Sequence, residues 1–291
     1  MIDLHVHSSF SDGTDTPEEL ARAAAASGVT ALALTDHDNV AGVPDFLAAC
    51  RREGIVGIAG VEISAHVQQG TLHVLGLGVD PASAALDDAL ARVRDGREER
   101  NHRIVGKLHE LGFGLTWDEV QELAGHDVVG RPHIARAMIA HGWAGGVEEV
   151  FDRYLGEGAP AYVDRFKLSP EESVKLVVEA GGVPVVAHPL SWLADLGELE
   201  TALAKLKAAG LAGVEVYHSS HNLGDEVELM RLSSRLGLLP SGGTDYHGED
   251  VKPGIRIGTG PGRMEVPDAI LAPLLKRMCP QGYVDLAEGR A

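Results

Sequence analysis

The chain has 291 residues, 44% of them apolar, enough to bury one large core or two smaller ones. Its 25 basic and 43 acidic residues give a formal net charge of −18, which excludes the basic face that long duplex nucleic acid requires. No stretch reaches the roughly 20 apolar residues of a membrane span, and Met1–Ser9 lacks the basic and apolar regions of a cleaved signal, so a cytoplasmic protein with no membrane partner is expected. Met1–Val6 reads as a first strand. Thr16–Ser27 follows as an Ala-rich helix opened by Thr-Pro-Glu-Glu, with Pro at the first helical position. Thr30–Thr35 is a second strand, and Ile55–Val61 and Leu72–Leu77 are further apolar, β-rich runs. A long polar helix is predicted over about Ala82–Leu111. The texture then changes: Trp117–Leu123, Pro132–His141 and Val147–Leu155 read as short helices separated by glycines, with no strand between them. Alternation resumes with Pro170–Ala180, Val183–Ala187, Leu199–Ala209, Gly213–Tyr217, Asp225–Leu236 and Leu238–Gly243, and closes near Ile255–Thr259. Apolar strands alternating with helices predict a mainly parallel sheet covered by helices. The expected organisation is a barrel domain over residues 1–100 and 165–291, interrupted by a helical insertion over 101–164.

Five segments place histidine or carboxylate where a strand runs out: DLHVHS (3–8), TDHD (35–38), GVEIS (60–64), AHP (187–189) and GGTDYH (242–247). Strand ends in parallel α/β barrels point side chains into one shared mouth. His5, His7, His37, Glu62, His73, His188, Asp245 and His247 can therefore converge. Imidazole and carboxylate without thiolate favour Mn(II), Fe(II) or Zn(II) over a structural zinc knot. Two or three such ions would make the local field positive whatever the net charge, hold a bridging hydroxide and polarise a phosphoryl oxygen. Cys50 and Cys279 stand outside any paired spacing, which suits a reducing compartment rather than a disulfide framework or a cysteine zinc site. Asp36 and Asp38, flanking His37, read as orienting or capping groups. Asp3 reads either as an orienting group or as plain strand polarity. His66, His102, His109, His126 and His141 read as structural or exposed.

Together, DLHVHS, the SDG at 11–13, TDHD, GVEIS, the LHVLG at 72–76, AHP and GGTDYH resemble the PHP (polymerase and histidinol phosphatase) superfamily of metal-dependent phosphoesterases. DGTDTPEEL (12–20), GRPHIA (130–135) and EVYHSSH (215–221) resemble its stand-alone branch of nucleoside 3',5'-bisphosphate phosphatases and RNA 5'-end exonucleases. The resemblance implies an α/β fold, a distorted (β/α)7 TIM-like barrel with a small all-helical insertion. It also implies two to three divalent ions, with Mn(II) first and Fe(II) or Zn(II) as alternatives. His5 and His7 with Glu62 and Asp245 would hold one ion. Glu62 would bridge to a second, held also by His73 and His188, and Asp12, His37 and His247 would hold a third. Asp12 departs from the histidine common at that place in histidinol phosphatases, which bears on metal preference and on the filling of the third site.

Arg131 and His133 in GRPHIA open a helix, where N–H groups and a guanidinium form a seat for substrate phosphate. Lys167 in DRFKLSPEE and His218 in EVYHSSH are placed by the resemblance at the phosphate or the leaving group. The expected activity is removal of the 3'-phosphate from a nucleoside 3',5'-bisphosphate by a metal-bridging hydroxide, with His218 or Arg131 stabilising the phosphoryl oxygens. The alternatives are a 5'-3' exonuclease on short 5'-phosphorylated RNA, a histidinol phosphate phosphatase, and a non-catalytic metal-binding accessory module. A small phosphorylated nucleotide or a short RNA 5' end is the expected partner, with no obligate protein partner.

Overall fold

A computed structural model describes residues 1–124, 129–261 and 264–284. Among these, seven strands form one sheet in chain order: β1 (Ile2–Val6), β2 (Ala31–Leu34), β3 (Val56–Ala65), β4 (Leu72–Leu77), β5 (Val183–Val186), β6 (Gly213–His218) and β7 (Leu239–Gly243). β1, β2 and β3 pair in parallel, as do β5, β6 and β7, whereas β4 runs antiparallel to both its neighbours. Connection length explains the reversal of this strand in an otherwise parallel sheet. Residues 66–71 link β3 to β4, a hairpin-sized loop, and parallel neighbours need a crossover of about a dozen residues or more.

The sheet curls until β7 stands beside β1. The His7 N–H donates to Tyr246 O at 2.9 Å and the Asp245 N–H to His5 O at 2.8 Å, giving a nearly closed, distorted seven-strand barrel. Gly243 permits this approach, since a Cβ there would lie 2.4 Å from the His5 backbone nitrogen. Asp3 fastens the seam: its buried carboxylate accepts the Thr244 N–H (2.9 Å) and hydroxyl (2.6 Å) and the Gly258 N–H (2.8 Å). Ile255–Thr259, expected to close the sheet, is not a strand. Arg256 and Thr259 bond to each other across a turn, and the segment brings Gly258 to Asp3.

Helix α1 (Pro17–Ala26) opens as expected, with Thr16 and Glu19 satisfying each other's backbone N–H groups and Pro17 in the first turn. The structure adds α2 (Val43–Glu53) between β2 and β3. There follow α3 (Ala84–Glu110), α4 (Trp117–Ala124), α5 (Arg131–Ala140) and the short α6 (Val147–Val150), which widens into a π-turn over Phe151–Leu155. α7 (Pro170–Glu179), α8 (Leu196–Ala208), α9 (Leu223–Leu236) and α10 (Leu271–Leu275) complete the set among the described residues. None of these helices is long and apolar enough to cross a membrane.

The chain forms two compact units: Met1–Leu90 with the described residues from Leu168 onward, and Ala91–Lys167. The first is built on fully buried strand residues such as Leu4, Ala33, Ile58, Leu75 and Val185. The second has its own apolar core, including Ile104, Leu108, Val120, Ile134 and Met138. α3 begins in the first unit and continues into the second, so the boundary falls inside a helix.

Candidate metal centre

Strand alternation and strand ends assemble the site. His5 sits on β1 and His7 just beyond it, while Glu62 and Ser64 share a face of β3 and Ser64 pairs with His73 on β4, so Glu62 and His73 meet diagonally. Glu62 is the hub. Its Oε2 lies 3.4, 3.2 and 3.0 Å from His5 Nε2, His7 Nε2 and His37 Nδ1, and its Oε1 lies 2.8 and 3.0 Å from His73 Nδ1 and His188 Nε2. Asp245 Oδ1 faces His5 Nε2, His7 Nε2 and His247 Nδ1 at 3.5, 3.3 and 3.4 Å. Asp12 Oδ1 lies 3.2 Å from His247 Nε2, and its Oδ2 lies 3.6 Å from His37 Nε2. All nine side chains named from the sequence as ligands are thus brought together.

The donor chemistry fits divalent cations. His5 Nε2, His7 Nε2, Asp12 Oδ1, His37 Nδ1, Glu62 Oε2 and His218 Nε2 are buried polar atoms that make no hydrogen bond. Each such orphan costs about 1–3 kcal/mol, and together they converge on one space. Within it, His7, Asp12, His37 and His247 place donor atoms within 4.8 Å of one another, as do His5, His7 and Asp245, and His37, Glu62 and His73. Burial opposes ionisation of Glu62, but His73, His37 and His5 overcome it and hold its carboxyl well below the ordinary range. Burial also acts against a charged His7, yet the adjacent carboxylates of Asp245, Glu62 and Asp12 raise it to about 9. At His73 burial prevails over Glu62 and lowers the ring to about 4.

The backbone around these side chains is held in unusual conformations. Asp38, His188 and Asp245 have φ of 52°, 26° and 56°, the left-handed region that non-glycine residues seldom adopt. Buried carboxylates brace these loops. Asp36 accepts the Ser8 N–H (2.8 Å) and hydroxyl (2.6 Å) and the Ser11 hydroxyl (2.6 Å), and Asp38 accepts the Ser64 N–H (2.9 Å) and hydroxyl (3.2 Å). Both therefore support the ligand-bearing loops through serines.

The family model of the PHP domain matches residues 3–153. The chain belongs to the PHP family. It is 38% identical over 249 residues to a 3',5'-nucleoside bisphosphate phosphatase of Chromobacterium violaceum, covering 84% of this chain and 87% of that one. It is 33% identical over 245 residues to a 5'-3' exoribonuclease of Haemophilus influenzae, covering 84% and 89%. A solved structure of an amidohydrolase from Chromobacterium violaceum, with bound sulfate and no metal, matches with a TM-score of 0.84 at 34% identity, over 100% of this chain and 99% of the other. The chain is accordingly a metal-dependent hydrolase of the phosphoesterase type on the PHP barrel.

Two residues of this PHP site escape sequence reasoning. Glu215, buried in β6, lies with Oε1 3.1 Å from His5 Nδ1 and accepts the His188 N–H on Oε2 at 2.6 Å. Lys252 reaches Asp245. The one signal for Glu215 is a charge inside the apolar run GVEVY, which a strand with both faces covered admits only with partners. His218 ends β6, and the Ser220 N–H donates to its Nδ1 at 3.1 Å. Its Nε2 is buried and 3.5 Å from Asp245 Oδ2.

Three residues named for substrate lie in the other unit of the PHP chain. Arg131, at the start of α5, donates from Nη1 to Leu155 O at 3.2 Å and lies over the Phe151 and Tyr162 rings. His133 is buried and its Nδ1 accepts the Gly130 N–H at 3.0 Å, so the structure gives this ring a helix-capping use. Lys167 is partly exposed. Arg100 is buried, with Nε and Nη2 on Asn101 Oδ1 at 3.1 and 2.8 Å, and burial together with Arg165, Arg97 and Arg131 lowers its guanidinium to about 8. His66, His102 and His109 are exposed, and His141 is about one-third exposed; His126 lies outside the described residues.

Proposed function

We propose that this PHP phosphoesterase removes the 3'-phosphate of nucleoside 3',5'-bisphosphates, using two to three divalent ions with Mn(II) favoured. The observation that carries the reading is the cluster of donor atoms from His5, His7, Asp12, His37, Glu62, His73, Asp245 and His247, which suits divalent ions at a phosphate ester. The Chromobacterium violaceum relative, 38% identical, bears the name of this activity.

In this reading His5, His7, Glu62 and Asp245 hold one ion, Glu62, His73 and His188 a second, and Asp12, His37 and His247 a third. Divalent ions at such ligands supply Lewis acidity and lower the pKa of an attacking water to about neutral. His218 would stabilise an equatorial phosphoryl oxygen by a hydrogen bond. Arg131 holds the remote 5'-phosphate and orients the 3'-phosphate. The unpaired Cys50 and Cys279 suit a cytoplasmic setting.

A second reading, a 5'-3' exonuclease on short RNA, is favoured by the Haemophilus influenzae relative. There Arg131 would hold the 5'-phosphate while the next phosphodiester is cut. The two separate by kcat/KM, measured with Mn(II) on adenosine 3',5'-bisphosphate, a 5'-phosphorylated RNA dinucleotide, histidinol phosphate and p-nitrophenyl phosphate. The bisphosphate is expected to lead. A faster dinucleotide favours the exonuclease, and turnover no better than that of chelated protein on every substrate removes both readings.

A further inference from the structure

We propose that Glu215 is a positioning residue that sets two of the metal-binding histidines at once, one through its ring and one through its backbone. The proposal rests on the metal reading above and concerns a residue to which that reading gives no role. Glu215 is fully buried in the middle of β6, where a carboxylate is costly unless every lone pair is used. Its two oxygens go separate ways. Oε1 faces His5 Nδ1 at 3.1 Å, and Oε2 accepts the His188 N–H at 2.6 Å.

The consequences differ at the two ends. By accepting a hydrogen bond from the Nδ1–H of His5, Glu215 leaves the lone pair on Nε2, the nitrogen that faces Glu62 Oε2 and Asp245 Oδ1 at 3.4 and 3.5 Å. At His188 the backbone stands at φ 26° and ψ 61°, and the bond to Oε2 holds it there. From that position the His188 ring reaches Glu62 Oε1 at 3.0 Å and His73 Nδ1 at 3.3 Å. His5 belongs to the group with His7 and Asp245, and His188 lies against Glu62 and His73. One carboxylate therefore braces ligands on two sides of the centre.

Two N–H groups need two acceptors, which a carboxylate supplies and an amide of the same shape does not. In Glu215→Gln the amide N–H of the new side chain must face one partner. Facing His5, it forces the imidazole proton onto Nε2 and removes the metal-binding lone pair. Facing His188, it sets donor against donor at a strained backbone. A residue that merely filled space would tolerate the change.

The test is a calorimetric titration of metal-free wild-type, Glu215→Gln and Glu215→Ala protein with Mn(II), alongside circular dichroism and thermal unfolding of the same metal-free samples. Folded Glu215→Gln is expected to bind Mn(II) about 10- to 100-fold more weakly and with fewer equivalents. Mn(II) affinity within about threefold of wild type in folded Glu215→Gln overturns the proposal on the scale expected for such partners. Wild-type protein that binds no Mn(II) overturns the metal reading, and the two failures are thereby distinguished. Should both variants fail to fold, nitrogen-15 NMR of the imidazoles in Zn(II)-loaded wild-type protein, with His5 assigned through His5→Gln, decides. A proton on His5 Nδ1 supports the proposal, and a proton on Nε2 overturns it.

Discussion

Lys252 Nζ lies 2.5 Å from Oδ2 of Asp245 and 3.2 Å from the main-chain oxygen of the same residue. Asp245 has φ 56°, so the lysine ties down a strained residue by side chain and backbone together, leaving Oδ1 toward His5, His7 and His247. A hydrogen bond to a charged group contributes about 1.5–3 kcal/mol, so Lys252→Met should lower kcat/KM by about 10- to 100-fold, with partial recovery in Lys252→Arg. Steady-state kinetics at saturating Mn(II) check this, and unchanged kcat/KM in the methionine variant rejects it.

The role proposed for Arg131 separates recognition from chemistry. Arg131→Ala should reduce kcat/KM for a 3',5'-bisphosphate by about 30- to 1000-fold, the loss of a desolvated charged contact worth about 2–4 kcal/mol. p-Nitrophenyl phosphate, which has no second phosphate, should be almost unaffected. Because the guanidinium also lies over Phe151 and Tyr162, thermal unfolding should accompany the kinetics. Equal losses on both substrates would assign Arg131 to the reacting phosphate or to the fold.

Metal binding should release protons. His7 is raised to about 9, so in metal-free protein near pH 7 a cation must displace its proton. Below the raised pKa the proton competes, and above it the competition ends. Apparent Mn(II) affinity should therefore rise from pH 6 to pH 9, by about tenfold per pH unit for each proton displaced. Titration in buffers of different ionisation enthalpy counts the protons, and an affinity that falls or stays flat over this range contradicts the assignment.

The thiols should behave unequally. Burial pushes Cys50 up to about 12, and it is fully buried, whereas Cys279 is partly exposed. A disulfide reagent at pH 8 should titrate Cys279 in native protein and both thiols in denaturant. Rapid native labelling of Cys50 would show that α2, which carries it, opens readily.

The ligands were legible because each sits in a short local motif at a strand end, where the pattern of apolar run followed by histidine or carboxylate is visible without a fold. Partners supplied across the barrel left no such trace. Glu215 is 210 residues from His5, and its role exists only once β6 lies near the ends of β1 and β5. Lys252 belongs to a turn after β7 whose N–H groups bond to Gly248 O, with no apolar pattern to mark it. The apolar alternation of Ile255–Thr259 resembled a strand, but its N–H groups serve a turn and Asp3. Likewise the pattern of Leu72–Leu77 carried no direction, and the short loop before it reverses the strand. GRPHIA read as a phosphate seat, yet the His133 imidazole meets the Gly130 N–H.

The most direct test of a metal-dependent 3'-phosphatase is the identity of its product. Phosphorus-31 NMR of adenosine 3',5'-bisphosphate incubated with wild-type protein and Mn(II) should show 5'-AMP and inorganic phosphate. Chelation should abolish the release, Mn(II) should restore it, and Glu62→Gln, which removes the anion facing five histidines, should lack it. Formation of 3'-AMP instead, or the same phosphate release from chelated protein, would contradict the assignment.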